Sequence, residues 1–182
     1  MLKSRLCIAF FAFAVGCAPA QKPLTDYVNP MLGTATLWDS VDLGFKPTKR
    51  TWGAEVFPGS SLPNAMVQVS PVTKFHSGAG YQYEDSVIYG FTHTNKGHWN
   101  LCHIPLLPVT GTPTPGDYCS PFSHERESAA PGYYQVFLDR YGVDAQLSST
   151  LRCAFHKYTY PAGAAPAVLA DLQRSNEHVR AW

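Results

Sequence analysis

Tyr134-Gln135-Val136-Phe137-Leu138-Asp139-Arg140-Tyr141-Gly142-Val143-Asp144-Ala145-Gln146-Leu147-Ser148 spells out two strands and the turn between them. Tyr134, Val136 and Leu138 alternate with Gln135, Phe137 and Asp139, the period of two that sends successive side chains to opposite faces. Asp139-Arg140-Tyr141-Gly142 supplies a hairpin turn. Val143, Ala145 and Leu147 then resume the alternation against Asp144, Gln146 and Ser148. A third strand is expected where Leu151, Cys153 and Phe155 alternate with Arg152, Ala154 and His156, running on to Tyr158 and Tyr160. Pro161-Ala162-Gly163 turns the chain into Ala167-Val168-Leu169-Ala170-Asp171-Leu172, which reads as a buried strand.

The same signals recur upstream. Tyr27-Val28-Asn29-Pro30 reads as a short strand ending in a turn at Gly33-Thr34, and residues 35–52 read as loop. Phe57-Pro58-Gly59-Ser60-Ser61-Leu62-Pro63-Asn64 is a punctuated turn leading into Met66-Val67-Gln68-Val69-Ser70, a strand with one buried face. Val87-Ile88-Tyr89-Gly90-Phe91 is β-branched and aromatic, which suits a pleated surface. Ile104-Pro105-Leu106-Leu107-Pro108-Val109 is apolar but carries two prolines, so an edge or a broken strand is expected. Thr110 to Gly132 reads as a long irregular connection. Short strands with a turn about every ten residues predict an all-β antiparallel sandwich.

Composition agrees with that class. The 182 residues are 45% hydrophobic and 13% aromatic, with ten Tyr and ten Phe, which suffices for one packed core. The net charge of +1 offers no basic footprint for nucleic acid.

The N-terminus reads as an export signal over residues 1–20. Lys3 and Arg5 precede the apolar run Leu6 to Val15, which is too short to span a bilayer. Ala14-Val15-Gly16-Cys17 has the form of a lipobox, with Cys17 as the lipidated first residue of the mature chain and a membrane anchor as the result. Ala18-Pro19-Ala20 offers an ordinary cleavage site instead. With Cys7 and Cys17 set aside, Cys102, Cys119 and Cys153 remain: an odd number, compatible with one disulfide or with three thiols.

Chemistry concentrates between Gly78 and Pro108. His93, Asn95, Lys96, His98, Trp99, Asn100 and His103 crowd into one loop around a single indole. So many polar groups are hard to satisfy in a core, and a cleft is the better place for them. A pyranose can stack its apolar face on an indole while amide, imidazole and ammonium groups take its hydroxyls. Trp99 with His98 and Asn100 fits that role, and it equally fits an indole that merely packs the loop. The spacing of His93, His98 and His103 matches no common metal site, so no metal ligand is assigned. Ser123-His124-Glu125 lacks a strained nucleophile turn and an oxyanion hole, so no catalytic residue is assigned there. Glu84 and Asp85 read as surface carboxylates beside a turn.

Taken in order, the chain resembles the N-terminal domain of glycoside hydrolase family 92, the calcium-dependent exo-α-mannosidases. The resemblance runs through Tyr27-Val28-Asn29-Pro30, Gly33-Thr34, Phe57 to Pro63, Met66 to Pro71, Gly80-Tyr81-Gln82-Tyr83 and Ile88 to Thr94. It continues through Leu107-Pro108-Val109, Ser120 to Glu125, Pro131 to Tyr134 and Phe155 to Tyr158. It implies that residues 21–182 form the sandwich domain of an exported enzyme acting on terminal α-linked mannose of glycans, with inversion. It also implies a helical (α/α) catalytic domain as partner, normally in the same chain, that holds both catalytic carboxylates and most of the Ca2+ ligands. On that basis this chain by itself is expected to be inactive, contributing one wall of the pocket. A stand-alone surface lipoprotein that binds glycans is the alternative.

Two segments depart from the family pattern. Lys74-Phe75-His76-Ser77-Gly78-Ala79 stands where many members have a tryptophan- and cysteine-containing wall, and Asn95 to Asn100 replaces a His-Leu-x-Gly-Thr-Gly-Cys loop. Phe75, His76, His93, Asn95, Lys96, His98, Trp99 and Asn100 are therefore the expected substrate contacts, and the linkage and preferred sugar stay open.

Overall fold

The computed structural model describes residues 21–36, 56–75, 77–95, 102–114 and 116–172. The proposed signal and Cys17 lie outside them. The described chain is all-β, with eleven strands in chain order. β1 (Ser60–Ser61), β2 (Gln68–Val72), β4 (Gly90–Thr92), β5 (Leu106–Thr110) and β11 (Pro166–Ala170) form a five-stranded antiparallel sheet in the order β1-β2-β4-β5-β11. β7 (Glu127–Ala130), β8 (Tyr133–Leu138), β9 (Val143–Ser149) and β10 (Ala154–Thr159) form a four-stranded meander. β3 (Val87–Ile88) and β6 (Ser120–Pro121) make a small ribbon. Strand β9 packs across β1, β2 and β5, which closes the two large sheets into a sandwich.

The hairpin expected at Asp139–Gly142 is present. Tyr134, Val136 and Leu138 on β8 and Val143, Ala145 and Leu147 on β9 all point into the core. Gly142 takes φ 66, and its N–H and that of Tyr141 both bond Leu138 O, which closes the turn. From the other sheet Val69, Phe91, Leu107 and Val109 meet them.

Several elements differ from the sequence reading, each for a local reason. On β10 the inward residues are Ala154, His156 and Tyr158, whereas Phe155 is 63% exposed. Pairing of His156 with Leu147 and of Tyr158 with Ala145 fixes that register, and a slip of one residue would invert the strand. Leu24–Tyr27 is a 3-10 turn rather than a strand at Tyr27-Val28, because no strand among the described residues pairs with it and Tyr27 and Val28 lie in solvent. Val87 to Phe91 is not one strand. Val87 and Ile88 pair with β6, then the chain switches sheets at Gly90, where an added Cβ would lie 2.8 Å from Pro105 Cβ. Thr110–Gly132 is not wholly irregular, since Glu127–Ala130 pairs with β8.

β5 lies between β4 and β11 in the sheet and is continuous through Pro108, although its β4 side is open there. Hydrogen bonds from Asp171 N to Pro105 O and from Gly111 N to Ala165 O put the odd-numbered residues of β5 in the bonded pairs with β11. Pro108 therefore turns its nitrogen toward β4, whose pairing with β5 stops at Leu106, and no ladder bond is lost. β11 is the edge, and Val168 on it is 50% exposed rather than buried.

One polar cluster ties the layers together. The Glu127 side chain is fully buried and accepts from Tyr81 OH at 3.0 Å and from Tyr134 OH at 2.6 Å, and it is hydrogen-bonded to His124 Nδ1 at 2.5 Å. His124 Nε2 lies 2.6 Å from Tyr83 O, which can only accept, so that nitrogen carries a hydrogen. Burial, then the Glu127 charge, pushes both tyrosine hydroxyls well above their ordinary range, so they remain donors. Replacing Glu127 with alanine strands these partners in the core. The expected loss is about 3–5 kcal/mol in urea unfolding, against about 1–2 kcal/mol for Tyr134→Phe. Equal losses for the two would refute the central role given to the carboxylate.

Candidate functional site

β4 delivers Phe91, Thr92 and His93 to the end of the sandwich, and β10 delivers His156 and Tyr158 opposite them. His93 Nε2 and His156 Nε2 are 2.8 Å apart, and His156 Nδ1 is 2.6 Å from Tyr158 OH. Phe91 packs against the same rings, 6.4 Å from His156 and 6.3 Å from Tyr158. One Nε2 must donate and the other accept, so at least one of the two rings is neutral. Burial lowers the His93 pKa, and burial followed by the nearby His93 lowers that of His156 to about 4. Near neutral pH this is a neutral relay of imidazoles ending on a phenol.

Asn95 sits one turn further on and is buried. Its amide donates to Gln68 O at 2.8 Å, and Thr92 Oγ1 donates to its Oδ1 at 3.2 Å, so the side chain anchors the loop's departure. Lys96, His98, Trp99 and Asn100 lie outside the described residues, as does His76. The chain re-enters with Cys102 at φ 43 and Ile104 at φ 49, left-handed conformations that cost non-glycine residues about 1–3 kcal/mol each. Such strain persists only where the surroundings hold it. The His103 backbone N–H between them bonds Thr94 Oγ1 at 3.0 Å, fastening exit to entry.

Phe75 lies elsewhere, on a cleft of about 550 Å³ lined by Thr73, Lys74, Phe75, Tyr89, Gly116 and Cys119. Its ring is tilted against that of Tyr89, centroids 5.6 Å apart. Lys74 Nζ donates to Gln82 Oε1 at 3.1 Å on one rim. Aromatic faces beside an ammonium and a hydroxyl can take a sugar ring and its hydroxyls. Cys119 and Cys153 are free thiols.

The sequence reading passed over Glu127 and its partners. His124 drew notice only in Ser123-His124-Glu125, yet Ser123 Oγ accepts from Glu125 N and the imidazole faces Glu127 and Tyr83 instead. The spacing His124-x-x-Glu127 was the available signal. Glu84 and Asp85 are tied down as well, accepting from Thr36 N at 2.7 Å and from Thr73 Oγ1 at 2.8 Å. Among the described residues no group of three or more His, Cys, Asp or Glu side chains is arranged to hold a metal ion.

An antiparallel sandwich presenting an aromatic cleft is the class that fold and site define. Residues 27–181 match the glycosyl hydrolase family 92 N-terminal domain, and the chain belongs to that family. A family GH92 α-mannosidase from Bacteroides thetaiotaomicron, solved in complex with mannoimidazole, is 31% identical with a TM-score of 0.70, over 85% of this chain and 20% of that one. A GH92 inverting mannosidase of Bacteroides thetaiotaomicron VPI-5482 is 29% identical with a TM-score of 0.66, over 84% and 20%. The chain thus spans about a fifth of the length of these mannosidases. No match was found among curated protein sequences.

The histidine pair sets a pH dependence. Both groups have folded pKa values below the unfolded value near 6.5, so the unfolded chain binds more protons and stability falls with acid. The loss begins as pH drops through about 6.5 and, for His156, levels off near 4. Melting temperatures between pH 4 and 7 should show this slope, and His156→Gln should flatten it. An unchanged slope in that variant would place the titration elsewhere.

Proposed function

We propose that this chain is the sandwich part of an exported α-mannosidase-type glycoside hydrolase, forming one wall of the sugar pocket and holding neither the acid nor the base. The carrying observation is how most of its described carboxylates are used. Glu84, Asp85 and Glu127 accept hydrogen bonds within the fold, Asp117 pairs with Arg140, and Asp139 pairs with Arg126. Asp144 accepts from two glutamine amides, and Asp171 accepts from Tyr118. Inverting hydrolysis needs one carboxylic acid on the leaving oxygen and a carboxylate activating water on the opposite face. Side chains already committed to structural donors are poor material for either task. The resemblance to mannosidases about four times as long supports a catalytic domain continuing in the same polypeptide.

In this reading the Phe75–Tyr89 cleft takes a terminal α-linked mannose of a glycan, and His98, Trp99 and Asn100 are further contacts to the same glycan. The aromatic rings take its apolar face, and amide and imidazole groups take its hydroxyls. Calcium is expected in the complete enzyme, with its ligands mostly outside this chain. The leader pattern supports export, with Cys17 carrying the lipid that keeps the protein at a membrane.

Hydrolysis of an α-mannobiose panel, with and without calcium, tests this by comparing the 182-residue chain with the same chain joined to its downstream reading frame. Turnover is expected only in the joined form; turnover by the short chain would place the acid and base inside it. Separately, Cys17→Ser should shift the expressed protein from the membrane to the soluble fraction. Unchanged partitioning would end the lipid-anchor reading.

A further inference from the structure

The outer face of the four-stranded sheet plays no part in the reading above. Register sets Tyr133, Ser148 and Phe155 side by side across β8, β9 and β10. With strands spaced about 4.8 Å, the two rings rise from backbones roughly 10 Å apart. Between them Ser148 is small, and its hydroxyl turns down to Gly132 O at 3.0 Å, so the row is a trough with aromatic walls. Phe155, 63% exposed, stands on the outermost strand.

The neighbouring row carries Gln135, Gln146 and Lys157 in the same manner. Asp144 orients both amides, accepting from Gln135 Nε2 and Gln146 Nε2 at 2.7 Å each, while Tyr133 OH donates to Gln135 Oε1 at 2.9 Å. At the far end Arg126 is paired with Asp139 and lies 4.2 Å over the Phe137 ring. Lys157 stands against Asp144 and Glu125, and Arg126 is paired with Asp139, so the face has no basic surplus. It presents oriented amide donors and acceptors beside two aromatic planes.

That combination selects an uncharged ligand with flat apolar faces and many hydroxyls. A polyanion would want a basic excess, and a packed helix would want a continuous apolar stripe. We propose that this sheet face is a glycan-binding site, taking a stretch of neutral oligosaccharide with pyranose rings on Tyr133 and Phe155 and hydroxyls on Gln146 and Lys157. Such a site would hold a polymeric substrate near the enzyme without touching the bond that is cleaved.

Affinity electrophoresis of the full-length protein through gels containing soluble α-mannan, or dextran as a second neutral polymer, tests this. Retardation by at least one polymer is expected, and Phe155→Ala and Gln146→Ala should each weaken it about tenfold. Hydrolysis of a small aryl α-mannoside should stay unchanged in both, so the choice of enzyme reaction and the sheet-face site are judged by separate readouts. Wild-type retardation in both variants, or none in either gel, would overturn the proposal. So would a Ser148→Cys thiol that resists maleimide in the folded protein, because another segment would then cover the face.

Discussion

The buried carboxylate of Glu127 is the constraint on which the arrangement of this domain depends. A charge without solvent is tolerable only where donors surround it, and here they come from separate parts of the chain. Tyr134 belongs to the meander, Tyr81 to the loop before the small ribbon, and His124 to the short 3-10 turn ahead of β7. The same imidazole reaches on to Tyr83 O and stacks on the Tyr83 ring at 4.0 Å. Fixing one acid therefore fixes the meander, the loop and the turn relative to one another. Apolar packing brings the sheets together without direction, and the carboxylate supplies the direction.

A second polar seam, from His93 through His156 to Tyr158, joins the two sheets at the end from which the histidine-rich loop leaves. Its bonds require a neutral imidazole, and Asn95 below it is satisfied by backbone and by Thr92. The loop is thus launched from a half-buried, hydrogen-bonded base. Cys102 and Ile104 accept unfavourable backbone angles where it returns. A surface meant to meet a ligand benefits from such fixed ends, since less freedom is lost on binding.

How much of this the sequence disclosed depended on whether one residue's neighbours in the chain were also its neighbours in space. The β8–β9 hairpin was legible because alternation, turn residues and burial all agree within a few positions. β10 was harder. Leu151, Cys153 and Phe155 are the more apolar set, yet His156 and Tyr158 turn inward because each finds a polar partner there. β7 was hidden because Glu-Ser-Ala-Ala has little intrinsic preference for a strand and is held by pairing with β8. Pro108 misled for a related reason, since the cost of a missing N–H depends on which side of the strand it faces. Among the site residues, the family resemblance drew attention to Phe75 and the crowding of polar groups in one loop to His93 and Asn95, but only the fold separates an aromatic cleft wall, an imidazole relay and a buried amide anchor.

The two sheets also differ in how far apart in the chain their partners lie. The meander is made of neighbours and is complete once Thr159 has been synthesised. β5, by contrast, ends at Thr110 and waits for Pro166–Ala170 before one of its sides is paired. On a ribosome adding about 5–20 residues each second, that interval lasts several seconds. For that time an apolar strand holding Leu107 and Val109 has no β11 beside it, which makes the late arrival of β11 the moment when a nascent chain most needs protection from its neighbours.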